Sequence, residues 1–449
     1  MSSVWTRLEP HLAGLKSPSQ YIGGEWNCVR RDWQACPTRF LMAFPDAYTI
    51  GMSHLGMQIL YSMLNEIPGV LCERAFNPWP DLEAVMRREG IPLFSIDSHR
   101  PAREFDVVGV SLQSEMGYSN ILVLLDLAQI PLHSADRGER DPIVIGGGPN
   151  ASFPEPLADF FDILILGDGE ETTIAFVELY RRMKAEGARR GDILREAAHT
   201  VPGAYVPSLY RFEFDGRDIR SITPLQGAPA RVAKANVPDL SSAYYPMKPI
   251  VPHSEVVFDR INLEIMRGCP HRCRFCHAVS FKNKLRFRRA DLLIDWSEKL
   301  YAATGHDEIS LISLSSGDHP EIRDLMIRLN ERFAARRVTI ALPSLRIDGK
   351  LKELPRLMKS GRRSGFTVAP EAGTEAYRQI IRKPILDADL FDTARAAFEE
   401  GFTHLKLYFM IGMPRETDED IEGIVRTARE CARLGRDIRR RHTEINVTI

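Results

Sequence analysis

Arg267-Gly268-Cys269-Pro270-His271-Arg272-Cys273-Arg274-Phe275-Cys276-His277 is the stretch that decides both the fold and the chemistry of this chain of 449 residues. Its three cysteines have CxxxCxxC spacing. They follow the alternating apolar residues Ile261, Leu263 and Ile265, which predict the end of a buried strand. Since thiolates are soft ligands and the three are close in sequence, they can face one metal centre from a loop at the strand's carboxyl end.

Two kinds of metal centre suit three thiolates in one loop. A structural zinc site takes four protein ligands, usually as two separated pairs, but the remaining four of the seven cysteines are scattered along the chain. His271 or His277 could complete a zinc site, so zinc stays open as an alternative. We favour an iron-sulfur cluster held by three cysteines, whose fourth iron is open to an exogenous ligand and therefore to chemistry.

The motif CxxxCxΦC, with Phe275 as the aromatic residue, resembles the signature of the radical S-adenosylmethionine (SAM) superfamily. The resemblance implies that Cys269, Cys273 and Cys276 bind a 4Fe-4S cluster and that SAM chelates its open iron. It further implies that one electron cleaves SAM to a 5'-deoxyadenosyl radical. An electron donor such as flavodoxin or ferredoxin is the implied partner.

Composition limits the compartment and the partners. Lys and Arg number 59 against 60 for Asp and Glu, so net charge makes no general case for nucleic acid or an anionic membrane. We find no signal peptide and no membrane-length apolar run, and the odd number of cysteines argues against a disulfide framework. We therefore predict a cytoplasmic protein without a membrane partner. The substrate, whether small molecule, peptide or RNA, stays open.

An N-terminal arm over residues 1–38 precedes alternating strand and helix patterns that predict a doubly wound, Rossmann-like α/β domain over 39–180. One short strand of this domain is expected at 93–96. Loops of small and polar residues follow the predicted strands, where ligands of such sheets bind. These loops resemble the cobalamin-binding domain that precedes the radical SAM core in one subgroup of the superfamily. The residues that carry this resemblance are His54, Ser111, Gly147, Gly148, Gly167 and Gly169.

Cobalamin is therefore expected from the resemblance, with one departure from the subgroup's pattern. Domains that insert a histidine beneath cobalt use DxHxxG, whereas the corresponding loop reads Gly51-Met52-Ser53-His54-Leu55-Gly56. His54 lies in the corresponding loop but lacks the preceding aspartate and has a different distance to the glycine. It is a candidate cobalt ligand, and the alternative is a histidine that caps or packs.

Residues 181–258 are expected to form a linker with a small antiparallel element made from 204–210 and 211–215. Six strands with helical stretches between them then predict a partial (β/α)6 TIM-like barrel over 259–449, apparently truncated at its sixth strand. Polar residues and glycines follow successive strands. By resemblance, the residues expected to contact SAM are Phe275, Ser316, Gly317, Asp318, Ser344, Arg346, Glu371 and Gly412.

The combined interpretation is a radical SAM enzyme that uses cobalamin to methylate an unactivated carbon. An alternative within enzymes is radical methylthiolation or rearrangement with a vestigial cobalamin domain, since Cys28, Cys36 and Cys72 could be ligands of a second cluster. A non-catalytic zinc- or RNA-binding module, using the cysteine loop and the basic run up to Arg289, is the alternative from another class.

Overall fold

The computed structural model describes residues 3–281, 284–343, 346, 365–440 and 443–449. They form two compact units. The first contains the chain up to Pro238 together with Ala243–Asp259, and the second contains Asp239–Ser242 and Arg260–Ile449. Most of the expected linker over 181–258 therefore lies within the first unit. No helix among the described residues combines the length and the apolar character needed to cross a membrane.

The first unit is built on one sheet of six strands. They are β1 (Thr38–Phe44), β2 (Val70–Phe76), β3 (Val107–Ser111), β4 (Ile143–Gly147), β5 (Ile163–Ile165) and β6 (Ala204–Tyr205). The order is β2-β1-β3-β4-β5-β6, parallel except for β6. The strand order reverses between β1 and β3, and sheets of this kind bind ligands at the strands' carboxyl ends near that point. The predicted doubly wound domain is confirmed.

Both faces of this sheet are buried. Along β1, Phe40 and Met42 belong to one hydrophobic cluster and Leu41 and Ala43 to the other, because successive side chains of a strand point to opposite faces. Burial on both sides explains why these strands read as continuous apolar runs. The helices of the unit are α1 (Val4–Leu8), α2 (Tyr48–Gly51), α3 (Leu55–Glu66), α4 (Pro80–Glu89), α5 (Tyr118–Leu127), α6 (Glu170–Ala185) and α7 (Arg190–Thr200).

Two details of the predicted first unit were wrong. The strand expected at 93–96 is only an isolated bridge between Phe94 and Pro101, where a proline cannot donate the N–H that would extend the ladder. The expected pairing of 204–210 with 211–215 is also replaced. β6 joins the main sheet as an antiparallel edge, and the separate hairpin consists of β7 (Tyr210–Asp215) and β8 (Asp218–Pro224).

The second unit has the strand-helix alternation predicted for the barrel. Its strands are β9 (Ile261–Glu264), β10 (Met266–Arg267), β11 (Arg286–Phe287), β12 (Glu308–Ile312), β13 (Thr339–Ala341), β14 (Phe366–Glu371), β15 (His404–Phe409) and β16 (Glu444–Thr448). Six of them form two parallel sheets, β13-β12-β9 and β14-β15-β16, and β10 pairs with β11. The described helices are α8 (Ala278–Phe281), α9 (Ala290–Thr304), α10 (Ile322–Phe333), α11 (Glu375–Ile380), α12 (Asp387–Glu399) and α13 (Asp418–Arg439).

His319, which follows the β12 loop, makes folding of the second unit sensitive to pH. The side chain is 2% exposed; its Nε2 donates to the carbonyl of Arg288 (2.9 Å) and its Nδ1 accepts from the backbone N–H of Glu321 (3.1 Å). Only the neutral ring can make both bonds, and burial lowers the pKa of His319 below its ordinary value of 6.5. The contribution of this group to stability is therefore present above about pH 6.5 and is lost as the pH falls.

We expect acidification from about pH 7 to about pH 5.5 to increase deuterium uptake in β12 and α10, as measured by hydrogen exchange and mass spectrometry. His319→Gln should lower stability at neutral pH and flatten this pH dependence. An identical pH dependence in the variant would show that another group is responsible.

Candidate active site

The cysteine loop begins at a glycine that no other residue can replace without strain. Gly268 has φ of 87°, and a Cβ built there would lie 2.3 Å from the carbonyl oxygen of Lys284. This close approach follows from the pairing of β10 with β11, in which Arg267 lies opposite Arg286. The three loop cysteines are half-buried and free of disulfides. Burial, together with Asp318, raises the pKa of the Cys269 thiol.

Hydrogen bonds fix the rest of the loop. The N–H of Cys276 donates to the carbonyl of Cys273 (3.1 Å), and the N–H of Arg274 donates to the carbonyl of Ile381 (2.9 Å). The Nη1 atom of Arg346 lies 3.6 Å from Cys273 Sγ. The loop is thereby tied to the segment that follows α11 and presents its thiols beside a guanidinium.

The spacing of the thiols favours a cluster over zinc. Ligand atoms of a tetrahedral site with Zn–S bonds of about 2.3 Å lie roughly 4 Å apart. Across the described part of the chain, the only three-residue set of histidine, cysteine and carboxylate side chains whose ligand atoms all lie within 4.8 Å is Glu25, Cys28 and Asp97. The three loop cysteines are not such a set, so the described residues contain no preformed zinc site in this loop. Three free, half-buried thiols in one loop fit a multi-iron cluster with three cysteine ligands.

Asp318, after β12, is held against the cysteine loop. Its Oδ2 accepts from His271 Nε2 (2.7 Å) and from Ser315 Oγ (2.6 Å). His271 lies between the first two cysteines, so this bond links the cluster loop to the next strand end. Ser316 is fully buried, and its hydroxyl donates to the carbonyl of Leu311 (3.3 Å). Its side chain thus shapes the turn, which leaves the backbone and Asp318 as the groups that could face a ligand.

Glu371, at the end of β14, has φ of 67°, in the left-handed region that costs a residue with a side chain about 1 kcal/mol or more. Its carbonyl accepts from the N–H of Met410 (2.9 Å), and its Oε1 pairs with Lys383 Nζ (2.7 Å). Both side chains are mostly buried, and the ammonium lies 5.9 Å from the ring centre of Phe275. Lys383 therefore contacts both Glu371, at the end of β14, and Phe275 of the cysteine loop.

Sequence reasoning missed Lys383, because it lies twelve residues after Glu371, beyond the loop that follows β14. The spacing from Glu371 to Lys383, with α11 between them, was the available signal.

Gly412, after β15, has φ of 84° and its N–H donates to the carboxylate of Glu416, so the turn there needs glycine for its backbone conformation. Ser344, expected to contact SAM, lies outside the described residues, as does most of the segment around Arg346.

A second candidate site lies at the carboxyl edge of the first unit's sheet. Ser111 and Gly147 are register partners at the ends of β3 and β4. A Cβ built on Gly147 meets no atom within 4 Å, so this glycine leaves open space at the edge. Exposed apolar side chains follow three neighbouring strands: Ile50 after β1, Met116 after β3 and Phe153 after β4. An open, apolar-rimmed edge fits a broad flat ligand such as a corrin.

The other residues predicted for cobalamin have local structural reasons. A Cβ on Gly148 would lie 2.7 Å from the carbonyl oxygen of Leu112, and one on Gly167 would lie 2.0 Å from that of Ala235. Gly169 meets only ordinary van der Waals neighbours. His54 Nδ1 accepts from the N–H of Met57 (3.3 Å) and caps α3. His54 is thus in the predicted loop, in the capping geometry that we weighed against cobalt ligation.

Two family models match the chain, one in each half. Residues 56–207 match the family model described as "Radical SAM proteins, N-terminal", and residues 263–428 match "Radical SAM superfamily". The chain belongs to the radical SAM superfamily and is an enzyme of that class. The family implies a 4Fe-4S cluster and SAM as cofactors, so the non-catalytic zinc module is set aside.

Two individual relatives share sequence with the chain. It is 26% identical over 408 residues to the uncharacterized protein MJ0966 of Methanocaldococcus jannaschii, a match that covers 90% of this chain and 76% of the relative. It is 28% identical to the ribosomal protein uS12 methylthiotransferase RimO of Thermus thermophilus, over 36% of this chain and 40% of the relative. The chain thus matches under half of that methylthiotransferase.

Among solved structures, the chain resembles the radical SAM methyltransferase TsrM of Kitasatospora setae with a TM-score of 0.59. The sequence identity is 17%, over 88% of this chain and 71% of TsrM. That structure contains a tryptophan substrate and a SAM analogue, and another structure of TsrM contains cobalamin and a [4Fe-4S] cluster. The likeness supports the arrangement of a Rossmann-like domain followed by a TIM-like barrel.

Proposed function

We propose that this enzyme is a cobalamin-dependent radical SAM methyltransferase that acts on an unactivated carbon. The observation that carries the proposal is the open edge at Gly147, rimmed by exposed apolar side chains, in a domain that precedes a radical SAM barrel. The fold shared with TsrM supports it. When bound, the reduced cluster would supply the electron that cleaves SAM, and cobalamin would carry the methyl group that SAM donates.

Residues of the cysteine loop and of two strand ends would bind the cluster and SAM. Cys269, Cys273 and Cys276 would hold the cluster through three thiolates. Asp318, whose Oδ2 is fixed by two hydrogen bonds, would orient the amino group of SAM from the end of β12. Glu371 would face the ribose or carboxylate region from the end of β14. Lys383 neutralises that carboxylate and holds its position, so that binding needs little reorganisation.

The methylthiotransferase alternative needs a second set of cluster thiolates in the first unit. Cys72 is fully buried in β2, and burial raises the pKa of its thiol well above the ordinary value. Cys36 is also buried, whereas Cys28 is half-buried. Cys72 packs in the apolar core of the first unit, so a cluster bound there would have to displace its neighbours. These environments favour the methyltransferase proposal over methylthiolation.

The proposal is tested by anaerobic reconstitution with iron and sulfide, followed by SAM, dithionite and hydroxocobalamin. We expect 5'-deoxyadenosine to form and a corrin absorption band to survive desalting. Gly147→Leu should fill the open space at the sheet edge and lower the retained corrin by roughly tenfold or more, since a clash removes more than 1.4 kcal/mol of binding.

Gly191→Leu is the matched control, because Gly191 also has open space around it but lies on α7. It should retain corrin like the unsubstituted protein. Equal retention in Gly147→Leu, or no corrin in the unsubstituted protein, would contradict the proposed cofactor while leaving SAM cleavage as a separate question.

For the partners, we propose a flavodoxin or ferredoxin as the source of the electron and the cytoplasm as the compartment. Seven cysteines without a disulfide among them suit a reducing environment.

A further inference from the structure

The inner face of the barrel strands is polar. Leu405, Leu407 and Phe409 of β15 pack with residues of α12 and α13 in one hydrophobic cluster. Because side chains alternate along a strand, Lys406 and Tyr408 point to the opposite face, which is the lumen of the barrel fold. Both side chains are exposed, Tyr408 by 40%.

Strand register extends this polar face to the neighbouring strands. Lys406 lies between Thr367 of β14 and Asn446 of β16, and Tyr408 lies beside Thr448. In the other sheet, Ser310 lies between Asn262 and Ala341. Ser310 Oγ is buried and makes no hydrogen bond within the described residues. Barrel interiors are normally packed with branched apolar side chains, so the exposed polar side chains of Thr367, Lys406 and Tyr408 are unusual for a closed core.

Several carboxylates at the ends of the described barrel strands have basic partners. Glu264 pairs with Arg267 (2.7 Å) and Arg288 (3.2 Å), and Glu371 pairs with Lys383. At the amino ends of the strands, Glu308 pairs with Arg260 (2.9 Å), and Glu444 pairs with His404 (3.0 Å).

Lys406, in contrast, makes no ion pair in the part of the chain that the structure describes. Its neighbours across the sheet are a threonine and an asparagine, which cannot neutralise it. The described part of this face therefore carries a lysine without an ion-pair partner, two residues from a phenolic hydroxyl.

We propose that Lys406 and Tyr408 anchor an oxyanion, a carboxylate or a phosphate, of the enzyme's substrate. The inference rests on the proposed function, because it assumes that the substrate enters the barrel. An ammonium and a hydroxyl two residues apart on one strand face can donate to two oxygens of one anion. The substrate class that fits is an anionic small molecule, or a segment of a larger one that carries such a group.

The test measures anion protection of Lys406 in the anaerobic, reconstituted enzyme. Formaldehyde and a borane reductant dimethylate lysines, and peptide mass spectrometry gives the rate at each position. Succinate and inorganic phosphate are the two probes, with sodium chloride at equal ionic strength as the reference. Bound anion should slow labelling of Lys406 about fivefold at roughly four times its dissociation constant. Lys299, an exposed lysine of α9 paired with Asp295, is the internal control and should not respond.

Each result bears on the proposal. Protection by succinate alone or phosphate alone supports it and identifies the anion. Tyr408→Phe should weaken the protection at least about threefold, and unchanged protection would remove Tyr408 from the anchor. A labelling rate of Lys406 that neither succinate nor phosphate lowers relative to sodium chloride would overturn the proposal. Formation of 5'-deoxyadenosine by the same preparation is read separately, so failure of the radical chemistry is distinguishable from failure of the anchor.

Discussion

Cys273→Ala is expected to abolish formation of 5'-deoxyadenosine and to prevent retention of the cluster's iron. Cys273 is the central thiol of the loop; its carbonyl accepts from Cys276, and its sulfur lies 3.6 Å from Arg346 Nη1. With one of three thiolates removed, two cannot hold a cluster that also leaves an iron open to SAM. Iron and sulfide content, the absorption spectrum after reconstitution and deoxyadenosine formation are the three measurements, and all should fall to background.

Cys431→Ala is the matched control for that substitution. Cys431 is fully buried in the cluster of apolar residues between β15 and its helices, and burial raises the pKa of its thiol to about 12. Its loss should cost some stability through a small cavity but leave the iron content and deoxyadenosine unchanged. Cluster loading of Cys273→Ala equal to that of the control would mean that a different residue supplies the ligand.

Arg74→Met is expected to lower the free energy of unfolding of the first unit by about 3–5 kcal/mol, because it leaves two buried carboxylates without a counter-charge. Arg74 is 1% exposed; its guanidinium pairs with Glu25 (2.8 Å) and Asp97 (2.6 Å). Burial alone would raise the pKa of Glu25, but Arg74 outweighs it and holds that pKa below the ordinary value. Urea unfolding followed by tryptophan fluorescence is the measurement, since Trp5, Trp26, Trp33 and Trp79 all lie in this unit.

Two further variants separate charge from packing. Arg87→Met removes an exposed arginine that pairs with Glu83 and Asp126, and it should change stability little because solvent screens such pairs. Adding Glu25→Gln and Asp97→Asn to Arg74→Met should recover part of the lost stability. No recovery would mean that the arginine acts through its packing rather than by compensating the carboxylates.

The same network explains why one compact group of potential metal ligands should bind no metal. Glu25, Cys28 and Asp97 have ligand atoms within 4.8 Å of one another. Arg74 already donates to both carboxylates, and Tyr48 donates its hydroxyl to Glu25 (2.9 Å). A cation there would have to displace a buried guanidinium, which is unfavourable.

The sequence alone was enough for the class of fold and for the centre of the chemistry. Both the fold class and the cysteine site were predicted from short-range patterns, namely the alternation of apolar strands with amphipathic helices and the CxxxCxxC loop. All six predicted barrel strands are present, from β9 to β16. The strand expected at 93–96 failed because its bridge partner is the nearby Pro101, which the apolar pattern of the strand does not indicate.

Features that depend on register or backbone conformation could not be predicted in this way. The left-handed conformation of Glu371 and its pairing with Lys383 arise from the turn that α11 makes between them. Gly147 and Gly148 look alike in sequence, yet one faces open space and the other a backbone carbonyl. Likewise, only the ion pairs of the neighbouring strands show that Lys406 has no ion-pair partner among the described residues.

The two faces of the barrel strands separate the requirements of folding from those of recognition. The outward residues of β15, such as Leu407, are buried against helices, whereas Lys406 and Tyr408 on its inward face are exposed. Substitutions on the inward side should therefore be tolerated by the fold. A few substitutions on the inward side of the strands could therefore change the substrate that is bound. The fold that positions the cluster and SAM would stay the same.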